Sequence, residues 1–214
     1  MKSRFLDGLT GPELKSVLAA SEHRHYPTNS VITNAGDPAD YFFLLKQGRA
    51  RHFSITAEGQ KVLLVWFSPG EVFGLYALVA EPSNYLLSTE MVEDGSVLAW
   101  RRSKILGILA RYPKLLDNAL SIAGDYLSWF EASHMALISH TARQRLARVL
   151  TSLAQGIGHK VPGGTELGIT NEELANTANV TLFTASRILS EWQRNGMVYK
   201  KRGRIILRAP QRLY

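Results

Sequence analysis

The spacing of hydrophobic residues changes character twice along the 214-residue chain. Between residues 26 and 100, short apolar runs such as YFFLL and KVLLVWF alternate with turn-forming stretches such as NAGDPAD and SPGE. Apolar runs of this length between Gly, Pro and Asp clusters predict a compact antiparallel β-structure. A long helix is predicted from Pro113, because proline favours the first turn of a helix and no further proline occurs before Pro162.

The predicted long helix carries a stripe with the spacing 4, 3, 4, 3, 4, 3, formed by Leu116, Leu120, Ala123, Leu127, Phe130, His134 and Leu137. This spacing is the seam of a two-stranded coiled coil over about three heptads, and it predicts a homodimer. The alternative is that the stripe packs on its own chain, and apolar residues on the other faces of the helix allow both. The polar seam residue His134 is interpreted as a packed or register-setting histidine rather than a pH or ligand sensor.

Residues 170 to 194 carry the pattern of two helices joined by a tight turn. Thr170 and Glu173 have the spacing of a capping box, which predicts a helix start. Asn179 tolerates the left-handed backbone that a sharp turn requires, and Thr181 is placed to cap the second helix. The apolar residues between these signals predict the core of a helix-turn-helix, and they are Leu174, Ala175, Ala178, Val180, Ala185 and Ile188.

The C-terminal third of the chain is strongly basic. Residues 1 to 139 hold 13 Lys and Arg against 14 Asp and Glu, a net charge of −1, whereas residues 140 to 214 hold 12 against 4, a net charge of +8. This bias is typical of nucleic-acid binding, although a merely basic surface is the alternative. The segment MVYKKRGRIILRA also predicts two strands joined by a basic turn, so that a winged helix-turn-helix is indicated.

In a winged helix-turn-helix the second helix enters the major groove with its N-terminal side chains on base edges. The residues predicted to touch DNA are Thr181, Phe183, Thr184, Ser186 and Arg187 on that helix, and Lys201 and Arg202 in the wing. Arg187 is predicted to pair with O6 and N7 of guanine. Phe183 shares the arginine face of the helix, and two interpretations are open: contact with a thymine methyl group, or packing on a neighbouring element.

The composition excludes several other classes. The chain contains no cysteine, which excludes disulfides and cysteine-ligated metal clusters. No apolar stretch approaches the about 18 residues of a membrane span, and the N-terminus lacks the apolar block of a signal peptide, so we expect a cytoplasmic protein without a membrane partner. No phosphate loop, carboxylate pair or nucleophile motif is apparent, so we do not expect an enzyme.

A metal-dependent cupin is the enzymatic alternative. His23 and His25 have the spacing with which a cupin ligand set begins. Asn29 and Ser30, however, stand where a glutamate ligand is expected. The two histidines are therefore interpreted as surface residues.

These motifs together resemble the family of the cyclic-AMP receptor protein and the fumarate–nitrate regulator. GDPADYFFLLKQG and PGEVFG are similar to the β-roll of the family's sensor, and Ser186-Arg187 is similar to the Ser-Arg pair of the fumarate–nitrate branch. The resemblance implies an α+β fold: a β-roll (double-stranded β-helix) sensor at 1–111, a dimerisation helix at 112–138 and a winged helix-turn-helix at 139–214. It implies a homodimeric transcription regulator that binds a pseudo-palindromic DNA site and contacts RNA polymerase.

The sensor departs from the family's cyclic-nucleotide binders, which carry a glutamate after Phe-Gly and an Arg-Ser pair further along. Leu75, Tyr85 and Leu86 stand at those places. A buried phosphate without a counter-charge is costly, so cyclic AMP is not the expected effector. The predicted effector pocket is either filled by side chains or suited to an apolar ligand, and its residues are Gly74, Leu75, Tyr85, Leu86 and Phe130.

Other modes of sensing stay open. Haem-based gas sensing with His52 or His134 as ligand is one alternative, and a permanently active dimer without an effector is another. An iron–sulfur cluster is excluded because the chain has no cysteine. In the fumarate–nitrate branch a glutamate lies three residues before the serine of the Ser-Arg pair, and Phe183 stands at that position here. We therefore expect a DNA half-site that is related to that of the fumarate–nitrate branch but altered. A hinge is expected near residues 139 to 141.

Overall fold

The computed structural model describes residues 2–57, 59, 61–79 and 81–214 of the chain. Six α-helices are found among these residues: α1 Gly11–Ala19, α2 Arg102–Arg111, α3 Pro113–Ser139, α4 Ala142–Gly156, α5 Asn171–Thr177 and α6 Leu182–Arg194. The strands of the N-terminal part are β1 Glu22–Tyr26, β2 Val31–Thr33, β3 Tyr41–Gln47, β4 Ala50–Ile55, β5 Lys61–Phe67, β6 Val72–Phe73, β7 Ser88–Met91 and β8 Gly95–Arg101. The C-terminal strands are β9 His159–Val161, β10 Gly164–Leu167, β11 Val198–Lys201 and β12 Arg204–Leu207.

The chain divides into two compact units. The first comprises Met1–Ser54 and Phe67–Trp129, and the second comprises Ile55–Trp66 and Phe130–Tyr214. Residues 55 to 66, which include most of β5, therefore group with the C-terminal part of the chain. The hydrophobic pattern alone did not indicate this grouping.

Two four-stranded sheets form the predicted β-roll, with the strand orders β1-β8-β3-β6 and β2-β7-β4-β5. Strands β1, β8, β3 and β6 pair antiparallel with their neighbours, and so does β7 with β2 and with β4. The run YFFLL in β3 is continuously apolar because both faces of this strand are covered. Phe42 packs against Phe5 and Trp100, with ring centroids 4.7 and 6.0 Å away. Phe43 points to the opposite face and stacks on Phe73 at 5.0 Å. The predicted β-structure between residues 26 and 100 is confirmed, except that residues 55 to 66 do not belong to the same compact unit as the rest.

Helix α3 begins at Pro113, as the sequence predicts, and runs for 27 residues. One side of α3 is buried, at Leu115 and Ala119. The predicted seam lies on another side: Leu127 is 70% exposed, and five further seam residues are also exposed, namely Leu116, Leu120, Phe130, His134 and Leu137. The helix therefore packs on its own chain with one face and leaves the seam face uncovered.

The second unit contains helices α4 to α6 and a four-stranded sheet of order β11-β12-β10-β9. Its core includes Trp192 and Leu146, both with no exposed surface, together with the predicted helix-turn-helix residues Leu174, Ala175, Ala178, Ala185 and Ile188. Val180 and Trp66 are partly buried and pack against the same core. Among the described residues, no helix combines the length and the apolar character that crossing a membrane requires.

Candidate nucleic-acid interface and sensor pocket

Hydrogen bonds at the helix starts fix the helix-turn-helix. Thr170 Oγ1 accepts from the Glu173 amide at 3.1 Å, and the Glu173 carboxylate accepts from the Thr170 amide at 2.9 Å. The turn after α5 passes through Asn179, whose φ of 49° is left-handed. Thr181 Oγ1 then accepts from the Thr184 amide at 3.1 Å and caps α6. The capping box, the turn residue and the second cap are thus confirmed.

Helix α6 has one buried and one exposed face. The buried side chains are Ala185, Ile188, Leu189 and Trp192. Arg187 is exposed on the other face, and Phe183 is 78% exposed. The alternative in which Phe183 folds down onto a neighbouring element is therefore not observed in this chain. The adjacent Leu182 is exposed as well, so the start of α6 presents an apolar surface beside Arg187.

The remaining predicted helix residues have hydroxyl groups with intramolecular partners. Thr181 Oγ1 lies 2.9 Å from Thr184 Oγ1. Asn171, the first residue of α5, places its Nδ2 3.5 Å from Ser186 Oγ. These contacts orient the hydroxyl groups at the exposed start of α6 and tie the two helices together. A hydroxyl oxygen has a second lone pair, so each group can also meet a DNA phosphate or base edge.

The basic turn is a tight β-hairpin. Strand β11 pairs with β12 up to Lys201 and Arg204, so Arg202 and Gly203 form a two-residue turn. Gly203 adopts a left-handed φ of 69°, which glycine provides without a steric penalty. Lys200 Nζ donates to Ser190 Oγ at 3.0 Å and ties this wing to α6. A cavity of about 380 Å³ separates the wing turn from the first turn of α5 and from Leu182.

Half of the basic side chains in residues 140 to 214 form ion pairs or hydrogen bonds with other groups of the protein. Arg143 forms an ion pair with Glu191, and Arg204 pairs with Glu166 at 2.8 Å. Hydrogen bonds to other protein groups engage Arg145, Arg148, Lys160 and Lys200. The other six basic residues are Arg187, Arg194, Lys201, Arg202, Arg208 and Arg212. The charge of +8 therefore overstates the number of cations that this unit offers to a ligand.

Arg145 links the predicted hinge to the turn of the helix-turn-helix. Its guanidinium donates to the carbonyl of His140 at 2.9 Å, of Ala178 at 3.0 Å and of Asn179 at 3.1 Å. His140 lies between the last residue of α3 and the N-cap of α4, Thr141. The break between these helices thus falls where the hinge is expected. Sequence reasoning missed Arg145, because nothing in its local pattern distinguishes it from the other arginines of α4.

Tyr85 fills part of the predicted effector pocket. It is 8% exposed, and its hydroxyl donates to the carbonyl of Tyr41 at 2.7 Å and accepts from the Tyr41 amide at 3.0 Å. Burial raises the pKa of Tyr85 to about 12. A Cβ at Gly74 would lie 3.4 Å from the Tyr85 ring and 2.9 Å from the Tyr41 carbonyl oxygen, so the ring closes directly over this glycine.

The other predicted pocket residues are placed differently. Leu75 begins a short 3-10 helix, Leu75–Leu78, and is partly buried. Leu86 is 65% exposed, so it does not line the buried interior. Phe130 belongs to the second unit, where it is exposed on α3. Within the first unit the structure therefore brings Gly74 and Tyr85 together but directs Leu86 to the surface.

The interior of the β-roll is lined by rings. Phe67 lies 4.6 Å from His52 and 5.3 Å from Phe73, measured between ring centroids. Desolvation lowers the pKa of His52 to about 4, so its imidazole is neutral at pH 7. His52 Nδ1 lies 3.0 Å from the hydroxyl of Thr89. The other histidine considered as a haem ligand, His134, is exposed on α3.

A buried ion pair joins the neighbouring strands β4 and β7. Arg51 Nε donates to Glu90 Oε1 at 2.7 Å, and both side chains are at least 90% buried. The pair was not predicted, because two opposite charges 39 residues apart give no local signal. Since Glu90 neutralises it, Arg51 does not supply a net positive charge inside the sensor.

The histidines of the cupin alternative lie on the edge strand β1. His23 and His25 are both exposed there. Among the described residues, no group of three or more His, Asp or Glu side chains has a metal-binding arrangement. Asn29 and Ser30, which follow the strand, lie in a turn where Asn29 has a left-handed φ of 65°.

Comparison with known proteins identifies both parts of the chain. Residues 23–112 match the cyclic nucleotide-binding domain, and residues 144–214 match the Crp-like helix-turn-helix domain. A "Cyclic AMP receptor protein" of Thermus thermophilus is 29% identical over 197 residues, which cover 92% of this chain and 88% of the relative. "Electron transport regulator A" of Shewanella oneidensis is 22% identical over 178 residues, which cover 82% of this chain and 70% of the relative.

Solved structures show the same architecture. The CLP regulator of Xanthomonas campestris, described as c-di-GMP responsive, has a TM-score of 0.81 at 20% identity, covering 92% of this chain and 99% of that chain. The catabolite activator protein of Thermus thermophilus has a TM-score of 0.58 at 29% identity, covering 99% and 96%. The predicted α+β fold and the family resemblance are both confirmed. The chain therefore belongs to the Crp/Fnr family of DNA-binding transcriptional regulators.

Proposed function

We propose that this regulator works as a homodimer in which two α6 helices read two half-sites of a pseudo-palindromic DNA site. We further propose that its sensor unit does not take cyclic AMP. The observation that carries the proposal is the exposed face of α6, on which Arg187 and Phe183 project beside a basic wing. RNA polymerase is the further partner expected for a transcriptional regulator bound beside a promoter.

Base reading is assigned to the start of α6. Arg187 is exposed and can pair with O6 and N7 of a guanine, which is the commonest base-specific contact in the major groove. Phe183 lies one helical turn before it and can rest against a thymine methyl. Thr181, Thr184 and Ser186 supply hydroxyl groups for phosphate or base contacts. Lys201 and Arg202, at the tip of the wing, are assigned to the phosphate backbone.

The seam of α3 supports the dimer. An uncovered stripe of large apolar side chains along a helix is costly in water, and it marks an interaction surface. The heptad spacing selects a second copy of the same helix as the partner, because each seam residue then enters a gap between four residues opposite. Two winged helices joined in this way would read half-sites about 34 Å apart, one turn of DNA.

The contacts of Tyr85 support the loss of cyclic-AMP binding. Its ring occupies the space over Gly74, and its hydroxyl is held by both backbone groups of Tyr41. A cyclic phosphate there would meet leucine and tyrosine in place of cations, and Arg51 is already paired with Glu90. The interior lined by Phe67 and Phe73 is suited to an apolar effector or to none. An effector would act by changing the populations of DNA-competent and incompetent dimers, with the break at residues 139 to 141 as the hinge.

Selection from a pool of random DNA duplexes tests the proposed function. We expect the enriched duplexes to contain an inverted repeat whose half-sites are separated, centre to centre, by about 10 base pairs. Each half-site should contain a guanine that Arg187 contacts. Enrichment of a single, unrepeated motif would contradict the dimer, and enrichment of no motif would contradict sequence-specific reading.

Cyclic AMP is expected to leave the thermal stability unchanged. A ligand present at 100 times its Kd stabilises the folded state by about 2.7 kcal/mol, which raises Tm by several degrees. Because leucine and tyrosine stand where cyclic-nucleotide binders carry the groups that hold the ribose and the phosphate, we expect no rise in Tm with millimolar cyclic AMP, measured by scanning calorimetry. The control is a triple variant, Leu75→Glu, Tyr85→Arg and Leu86→Ser, in which a rise should appear. A concentration-dependent rise in the unaltered protein would refute the prediction.

Phe183→Ala is expected to weaken binding to a selected site by about 1 kcal/mol, roughly fivefold, because one apolar contact with a methyl group is lost. Replacing the contacted thymine by uracil removes the same methyl from the DNA. The two changes should therefore not add: uracil should weaken binding by the unaltered protein but not by the alanine variant. Fluorescence anisotropy at one fixed salt concentration measures all four combinations. Additive losses would mean that Phe183 does not touch this methyl.

A further inference from the structure

His23 and His25 form a pair of exposed imidazoles on one face of strand β1. Residues two apart on a strand project to the same face, with Cα atoms roughly 6.8 Å apart. The two ring centroids lie only 4.7 Å apart, with an angle of 50° between the ring planes. The rings therefore lean towards each other, although neither makes a hydrogen bond to another described residue that would draw it there.

Strand pairing on one side holds the backbone under this pair. Strand β1 pairs with β8 over five consecutive residues, with His23 opposite Leu98 and His25 opposite Ser96. Strand β1 is also the edge of its sheet, so one side of the strand is open to solvent. Arg24, between the histidines, projects to the other face, where its guanidinium lies 3.9 Å from the centre of the Tyr41 ring. The space beside the two imidazoles is thus not occupied by the intervening cation.

The spacing of the rings fits two positions in one coordination sphere. An imidazole nitrogen binds a divalent transition metal at about 2.0–2.1 Å, which places the ion roughly 3.2 Å from the ring centroid. Two centroids 4.7 Å apart, each at that distance, subtend an angle of about 95° at the ion. This angle is that of neighbouring ligands in square-planar or octahedral coordination.

We propose that His23 and His25 chelate one divalent transition cation on the surface of the sensor unit, with water completing the coordination. Imidazole ligands favour Cu²⁺, Ni²⁺ and Zn²⁺ over Mg²⁺ and Ca²⁺, and the general order of affinity places Cu²⁺ first. With two protein ligands the site is a reversible surface chelate and differs from the three- or four-ligand centre of a cupin enzyme. It is independent of the proposed DNA reading.

One nearby charge opposes the cation. The ammonium group of Lys46 acts electrostatically on His23. Glu22 and Arg24 form an ion pair with each other on the opposite face of the strand. Removing the charge of Lys46 should therefore strengthen cation binding, whereas a site elsewhere on the protein would not respond. This gives the proposal a second, opposite test.

Titration of the full-length, tag-free protein with CuCl₂ tests the proposal. Calorimetry should show one Cu²⁺ site per chain, and electron paramagnetic resonance should show splitting from two nitrogen ligands. His23→Ala and His25→Ala should each lower the affinity at least about tenfold, since the loss of outer-shell partners alone costs 10- to 100-fold. Lys46→Gln should raise the affinity. The exposed His159 on β9 provides the control, and His159→Ala should leave the titration unchanged.

Three outcomes would overturn the assignment. The first is Cu²⁺ binding that is undiminished when both histidines are replaced. The second is a resonance spectrum with a single nitrogen ligand. The third is no saturable binding to the unaltered protein. Circular dichroism of each variant shows that the fold is intact, and DNA selection with the double variant separates this proposal from the DNA-reading one, because we expect the selected sequence to be unaltered.

Discussion

Leu127→Glu should convert the protein to monomers that bind a full DNA site no better than a single half-site. Leu127 is 70% exposed in the single chain and lies at the centre of the α3 seam. In the proposed dimer it would face its own copy, so the variant would place two carboxylates together in an apolar interface. The repulsion and the desolvation of both charges would oppose association. Light scattering measures the mass, and anisotropy with a selected site measures the DNA affinity.

Ser128→Glu is the matched control for this variant. Ser128 is the next residue of the helix, about 100° around its axis, and it is exposed off the seam. The same charge there should leave the mass and the DNA affinity as they are in the unaltered protein. A stable dimer of Leu127→Glu would show that the seam is assigned to the wrong face of α3.

Arg187→Ala should lower the affinity for a selected site by about 1–3 kcal/mol, roughly 5- to 150-fold, and relax the preference at one base pair of each half-site. Arg187 is exposed on α6, and no hydrogen bond or ion pair joins it to another described side chain, so its guanidinium is available to a guanine. Competition with sites altered at single positions identifies the relaxed base pair.

Arg194→Ala is the comparison for base reading. Arg194 ends α6 on the same charged face and is expected to meet phosphate or solvent. Its removal should weaken binding to all sequences alike and reduce the dependence of affinity on salt. If Arg187→Ala also weakened all sequences alike, Arg187 would be a phosphate contact and the base-reading role would pass to another residue.

The elements that could be predicted from the sequence are those specified by local signals. The start of α3 at Pro113, the capping box of α5 and the N-cap of α6 depend on residues within one or two helical turns. The left-handed turn at Asn179 depends on one residue. These features follow from short-range geometry, and the structure contains all of them.

Long-range contacts could not be predicted in the same way. Tyr85 reaches the backbone of Tyr41 across 44 residues, and Trp66 packs against the core of the second unit from a strand of the N-terminal half. The hydropathy pattern shows that such residues are apolar, but it does not name their partners. Whether side chains fill the predicted pocket at Gly74 could not be decided from the sequence, because the volume of a pocket depends on such distant partners.

The net charge of the last third indicated the kind of ligand correctly, but it overstated the number of cations that face this ligand. A net charge of +8 in the last third correctly indicated a nucleic-acid-binding unit. Arg145, with three carbonyl partners, and Arg143, with a carboxylate partner, nevertheless contribute to the internal structure. A net charge taken from the sequence includes every Lys and Arg, whatever its orientation. The structure is needed to separate the cations that hold the helices together from the cations that face outward.

The spacing of the two half-sites tests the central claim most directly. An insertion of five base pairs between them turns one half-site about half a turn around the DNA axis, away from a dimer that holds its two α6 helices one turn apart. We predict that this insertion lowers the affinity to that of a duplex with a single half-site. Unchanged affinity would contradict the claim that paired winged helices read adjacent turns of the duplex.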